Sequence, residues 1–464
     1  VVIVNTCAFV EDAKSESIAA VIEAAQLKCA LHASSNPTPH ALSRCRRSGP
    51  LRVDHWRLAQ TILRVALPLS LSMRRADRST SAKGLFVTGC LAQRYADELA
   101  SELPEVDAIV GFEHYSELPE QVLSLLADAE EVQDGGEGSA KPSATKVLVG
   151  SASVPFRSET DRVSLTASHT AYIRVAEGCD HACTFCAIPG FRGSFRSKPF
   201  DVVVAEAELL AARGVRELNI IAEDTNQYGS DWGNADSRRL ADLLRALSAT
   251  SLRWIRLLYC YPSYFSQDLV DEIASNDKVV KYIDIPLQHL SPTVLQRMRR
   301  PTGSSTVTLL RKLRQKIPRL TLRTTFICGF PGETDEEHRE LVNLARELRF
   351  ERGGAFAYSQ EEGTPAAGMS DQIDDDTREE RRDELISLFQ DAAGAWAANQ
   401  VGNELRVIID SVDHEDAIGR TEADAPEIDG SVRLPGCSHL APGTELLATV
   451  VAADSMELVA QPST

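Results

Sequence analysis

Three cysteines fall within eight residues, Cys179-Asp180-His181-Ala182-Cys183-Thr184-Phe185-Cys186, just after the strand-like run Tyr172-Ile173-Arg174-Val175. Thiolates spaced C-x3-C-x2-C on so short a loop wrap only a small inorganic centre. Cysteine thiolate is the usual protein ligand of iron–sulfur clusters. A four-iron cube takes four ligands, so three cysteines leave one iron open, and an open metal position is where chemistry takes place. Structural zinc prefers two separated Cys/His pairs that close a tetrahedron, and no second pair follows at that distance. His181 lies inside the loop, where four side chains hardly converge on one ion. Zinc and chance clustering stand as the alternatives.

The loop opens a longer pattern. From about Ser168 to Ala398, candidate strands begin near Tyr172, Leu218, Ile255, Tyr282, Leu322 and Gly354, each followed by a helical stretch. Six β/α units in series predict a parallel sheet curled into a partial (β/α)6 barrel, with its site at the carboxyl ends of the strands. Three other strand ends carry polar or glycine-rich segments. Ile221–Asn226 brings Glu223 and Thr225, in a segment that reads equally as a capping turn. Ile285–His289 ends the fourth strand, and His289 reads equally as structural or catalytic. Thr325–Thr334 ends the fifth; Gly329 and Gly332 permit close backbone approach to a ligand, and Thr334 is placed to cap the next helix. Cys260 and Cys328 lack partners at ligand spacing and read as structural.

Upstream, Val1–Asn5 reads as a buried strand, which predicts a natural start before Val1, and Asp12–Leu27 carries Ile18, Val21, Ile22 and Ala25 at helical spacing. Cys7 follows that strand, and Cys90 follows a second strand-like run, Gly84–Gly89. Each alone reads as a structural cysteine. Together, at equivalent strand ends of one sheet, they look like two ligands of one site. Residues 29–83 break the composition: from Cys29 to Ala82 nine arginines face Asp54 and Asp77, with no glutamate. That segment reads either as sequence foreign to the fold or as a basic insertion binding RNA or a membrane surface. The expected layout is 1–126, an amino-terminal α/β domain; 127–146, a linker; 165–398, the partial barrel; and 399–464, a small antiparallel β-barrel.

Net charge is −18, which suits a basic protein partner better than a phosphate backbone. The last domain carries three arginines against twelve carboxylates, the wrong sign for a nucleic-acid reader. No stretch approaches twenty apolar residues, so no membrane span is expected. Ten cysteines around ligand spacing suggest a reducing, cytoplasmic setting.

The cysteine spacing, with aromatic Phe185 just before the third ligand, resembles that of the radical S-adenosylmethionine enzymes. The resemblance implies that the open iron takes the amino and carboxylate groups of S-adenosylmethionine and that the cluster's electron yields a 5′-deoxyadenosyl radical. It also implies that Phe185, Glu223, Thr225, Gly329 and Gly332 contact that cofactor. Outside residues 29–83 the chain resembles the methylthiotransferases, which carry an amino-terminal cluster domain, a radical barrel and a TRAM barrel. What that implies is two [4Fe-4S] clusters. Cys179, Cys183 and Cys186 match the radical-cluster ligands; Cys7 and Cys90 match two auxiliary-cluster ligands, the first lying upstream of Val1. Tyr358–Ala366 and Gly419–Gly430 are similar to the branch that modifies protein rather than tRNA. That branch implies small-subunit ribosomal protein number twelve as substrate, methylthiolated at one aspartate β-carbon, with a flavodoxin or ferredoxin as electron donor. Methylthiolation of a tRNA adenosine, which predicts a basic last domain, and a non-catalytic, decayed iron–sulfur protein are the alternatives.

Overall fold

The computed structural model describes residues 1–7, 11–35, 84–134, 145–151, 156, 167–301 and 303–463. The chain forms two compact units, Val1–Pro155 with Ala187–Gly193, and Phe156–Cys186 with Ser194–Thr464. Most of the composition break at 29–83, and residues 135–144 of the expected linker 127–146, lie outside the described residues.

In the first unit, β1 (Val2–Thr6), β2 (Leu85–Gly89), β3 (Ala108–Val110) and β4 (Lys146–Leu148) form a parallel sheet in that order. The helix Glu11–Ser35 follows β1. Its Ile18, Val21 and Ala25, three and four residues apart, are buried against Leu85, Val87 and Leu91, as helical periodicity requires. The helix Leu118–Asp134 runs past Asp128, because Ala and Glu there favour helix.

In the second unit, β5 (Thr170–Arg174) is followed by a small antiparallel pair, β6 (Ala176–Glu177) and β7 (Arg196–Ser197). Then come β8 (Glu217–Ile221), β9 (Trp254–Leu257), β10 (Val279–Gln288), β11 (Thr321–Cys328) and β12 (Arg352–Ala357). Strands β5, β8, β9, β10, β11 and β12 adjoin in chain order, and every pair is parallel. The series of β/α units predicts this sheet. Leu218, Ile220, Ile255, Leu257, Ile283, Ile285, Leu322 and Phe326 enter the helix-covered core. Their alternates, among them Asn219, Arg256, Asp284 and Arg323, project from the other face. A parallel sheet usually buries two apolar faces; here the second face is polar.

Beyond the capped helix Asp375–Ala398, β13 (Glu404–Asp413), β14 (Asp416–Thr421), β15 (Ser431–Leu434), β16 (Glu445–Asp454) and β17 (Glu457–Pro462) close into a barrel. It is antiparallel except where β15 meets β17 in parallel to complete the closure. The segment Gly419–Gly430 joins this barrel to the polar face of the sheet. Arg420 bonds Glu217 (2.6 Å) and Asp410 (2.7 Å), and Glu217 also takes Arg256 (3.0 Å). Arg352 pairs with Asp424 (2.6 Å), and the Tyr282 hydroxyl donates to Asp429 (2.7 Å). Arg256, Glu217, Arg352 and Asp424 are buried, so these charges are matched where water does not reach.

Candidate active site

The three-cysteine loop follows β6 and is tied down along its length. Thr184 donates its N–H to the Met298 carbonyl (3.1 Å) and its hydroxyl to the Arg297 carbonyl (2.9 Å), while its own carbonyl accepts the Ala366 N–H (2.9 Å). Asp180 accepts the Phe195 N–H (3.0 Å). Phe185 packs against Val294, Met298, Phe330, Tyr358 and Ala366. Cys183 is buried; Cys179 and Cys186 are partly open. Burial pushes the Cys179 thiol up to about 12, the His181 backbone N–H opposes that, and charge on Cys186 and Cys183 adds to it.

His181 is engaged elsewhere. Its Nε2 meets Asp224 at 2.7 Å, and its ring stacks on Tyr261 with centroids 3.6 Å apart and planes 11° apart. Among the described residues, no three His, Cys, Asp or Glu side chains gather as ligands of a single ion. With His181 turned to Asp224, the loop itself offers three thiols, one donor short of the four that close a structural zinc tetrahedron.

The remaining expected contacts fall at the ends of the neighbouring strands. Glu223 takes an Arg174 N–H at 3.2 Å. Thr225 is fully buried, with its hydroxyl committed to the Leu258 carbonyl (2.5 Å). After β11, Glu333 accepts the backbone N–H groups of Gly329 (2.7 Å) and Phe330 (3.1 Å), so one carboxylate shapes the turn. Gly329 has φ +70°, and a Cβ there would meet the Arg378 side chain at 2.1 Å; Gly332 has φ +74°. Thr334 caps the next helix, exchanging hydrogen bonds with Glu337 (3.2 and 2.9 Å). His289 is fully buried, burial lowers its pKa to about 4, and its Nδ1 accepts the Ser291 N–H (2.9 Å). Cys260 and Cys328 are buried in the helix-covered core.

Sequence reasoning passed over Asp224, Tyr261 and Arg300. Asp224 is fully buried beside His181. Asn226 fixes Tyr261 by accepting its N–H (2.7 Å) and donating to its carbonyl (2.8 Å). Arg300 lies 4.5 Å from the Tyr261 ring centre and donates to the Cys183 sulfur at 3.5 Å. Asp224 lay within the flagged strand end; nothing in the spacing of Arg300 marks it.

The first unit holds the other two cysteines expected as ligands, Cys7 and Cys90. Thr6 pairs with Gly89 in the β1–β2 register, so Cys7 and Cys90 each stand one residue past that pair. Gly89 has φ +97°, and a Cβ there would lie 2.2 Å from the Thr6 carbonyl oxygen, so only glycine fits. The Cys7 N–H donates to the Ser17 hydroxyl (2.9 Å). Arg192, 4.7 Å from the Phe112 ring centre, points an N–H at the Cys90 sulfur (3.9 Å).

Residues 173–345 match the Radical SAM superfamily, and residues 401–462 match the TRAM domain. The chain is 37% identical to the ribosomal protein uS12 methylthiotransferase RimO of Desulfitobacterium hafniense, across 99% of this chain and 90% of that protein. It is 38% identical to the proteins of that name from Lachnoclostridium phytofermentans, with 99% and 90% covered, and Akkermansia muciniphila, with 99% and 91% covered. The solved radical S-adenosylmethionine methyltransferase TsrM of Kitasatospora setae aligns at 18% identity over 62% of this chain and 64% of that one, with a TM-score of 0.40, too loosely to bear on function. On the strength of the near-full-length relatives, the chain belongs to the RimO family of radical S-adenosylmethionine methylthiotransferases.

Proposed function

We propose that this enzyme methylthiolates the β-carbon of an aspartate in the small-subunit ribosomal protein uS12. The observation that carries the reading is the three-thiol loop at the carboxyl end of β5 in a chain related almost end to end to uS12 methylthiotransferases. Cys179, Cys183 and Cys186 hold a [4Fe-4S] cluster, which with S-adenosylmethionine supplies the radical chemistry that an unactivated C–H bond demands. The protein's part is to hold, orient and exclude water. Glu223, kept in place by Arg174, suits the ammonium of S-adenosylmethionine. Phe185 and the turn from Gly329 to Gly332 shape the rest of its seat, and Thr225 braces the strand end behind it. Cys7 and Cys90 are two ligands of a second, sulfur-supplying cluster.

The acidic carboxyl-terminal barrel is the docking face for basic uS12. Glu404, Asp413, Glu415, Glu427 and Asp454 are exposed there, while its other acids pair within the unit. A flavodoxin or ferredoxin delivers the electron, in a cytoplasmic setting that keeps the thiols reduced. No described helix is long and apolar enough to cross a membrane.

The test is anaerobic reconstitution with uS12 and S-adenosylmethionine. The expected product carries one methylthio group on an aspartate, and Cys183→Ala abolishes it. Iron content should fall from about eight per chain to about four in that variant, four irons belonging to each cube. A methylthiolated tRNA adenosine with untouched uS12 would overturn the substrate assignment. About four irons falling to none would remove the second cluster.

A further inference from the structure

Arg300 is fixed near the cysteine loop by groups other than a ligand sulfur. One of its nitrogens donates to the Pro286 carbonyl (2.6 Å), and its guanidinium lies over the Tyr261 ring. That ring is in turn fixed by Asn226 and stacked on His181, which Asp224 holds. The other terminal nitrogen reaches the Cys183 sulfur at 3.5 Å. So a permanent cation, braced by a carbonyl and an aromatic face, directs an N–H at one ligand of the three-cysteine site. Hydrogen bonds to cluster sulfurs and nearby charge set the potential of an iron–sulfur centre. A fixed cation favours the more negative, reduced state.

We propose that Arg300 is a positioning residue that raises the reduction potential of the cluster held by Cys179, Cys183 and Cys186, with the Asp224–His181–Tyr261 stack fixing its geometry. The inference rests on the cluster assignment of the proposed function. It makes electron entry, before any substrate contact, the step that Arg300 controls.

The experiment is a redox titration followed by electron paramagnetic resonance. It uses the full chain, reconstituted anaerobically in a Cys7→Ala/Cys90→Ala background so that one cluster is read, without S-adenosylmethionine or substrate. Arg300→Gln should keep its iron yet show about a tenfold smaller reduced-to-oxidised ratio at the parent midpoint, equivalent to about 59 mV for one electron. Arg300→Lys, which keeps the charge but not the planar fork, should fall between. Should the Gln variant not fold, Arg300→Met, which retains apolar bulk beside Tyr261, should show the same shift. Unchanged potentials with full iron would overturn the proposal. A parent protein that binds no iron would instead defeat the cluster assignment itself.

Discussion

Glu333 carries a load that its neighbours in sequence do not reveal. It accepts two backbone N–H groups of the Gly329 turn and receives Arg381 at 3.2 Å and His338 at 3.4 Å. Burial by itself would raise its carboxyl, but His338, His289 and Arg381 outweigh that and hold it below the usual range. Glu333→Ala leaves Arg381 and the turn amides short of a partner, a loss of about 3–5 kcal/mol for one broken buried pair, measured by urea unfolding. The pH sign follows from the depressed folded-state value. The stabilisation is present above roughly 4.5, the ordinary glutamate range, and is lost as pH falls through the lower folded value. Thermal unfolding from pH 7 down to pH 3 should therefore show the parent losing more stability than Glu333→Gln. The turn itself was legible, because glycines and a capping threonine act locally. The need for glycine at Gly329 was not, since the obstacle is Arg378, a residue from a distant helix. The same holds for Arg300, whose partners Pro286, Tyr261 and Cys183 come from three separate segments.

At the scale of elements, hydrophobic runs bounded by polar turns were enough to place β5 and β8 to β12, because each is followed by its own helix. Strand β4 escaped notice: it has three residues, two of them exposed, too few for a period. The parallel β15–β17 pair depends on how the barrel closes, which no local pattern encodes. Gly419–Gly430 stood out for its likeness to the protein-modifying branch; in the fold it supplies Arg420, Asp424 and Asp429 to the sheet. Arg420→Ala strips Glu217 and Asp410 of a shared cation. It should cost about 3–5 kcal/mol, as for a buried pair broken on one side, and expose the carboxyl-terminal barrel to limited proteolysis. Arg420→Lys should recover only part of this, because one ammonium cannot reproduce the fork that meets both carboxylates. Native-like resistance of Arg420→Ala would show that the apolar contacts of Trp254, Tyr282, Ile408 and Ala425 suffice.

For the whole molecule, charge separates two roles that composition alone had merged. Part of the acidic excess of the last barrel is internal, matched by Arg352, Arg406, Arg420 and Arg433, and only the exposed remainder is free to meet a partner. Association with basic uS12 should weaken as salt rises from about 0.05 to 0.5 M, as the screening length shrinks to a few ångströms, mainly through the on-rate. Surface plasmon resonance reads this directly, and a salt-independent on-rate would argue for an apolar docking face. The pairing of Arg420 with Glu217 also has a consequence in time. The two residues are 203 positions apart. At roughly 5–20 residues per second of synthesis, about 10–40 s separate their emergence from the ribosome. Through that interval Glu217 has Arg256 as its partner but not yet Arg420, so a strand made late completes the charge matching of one made early.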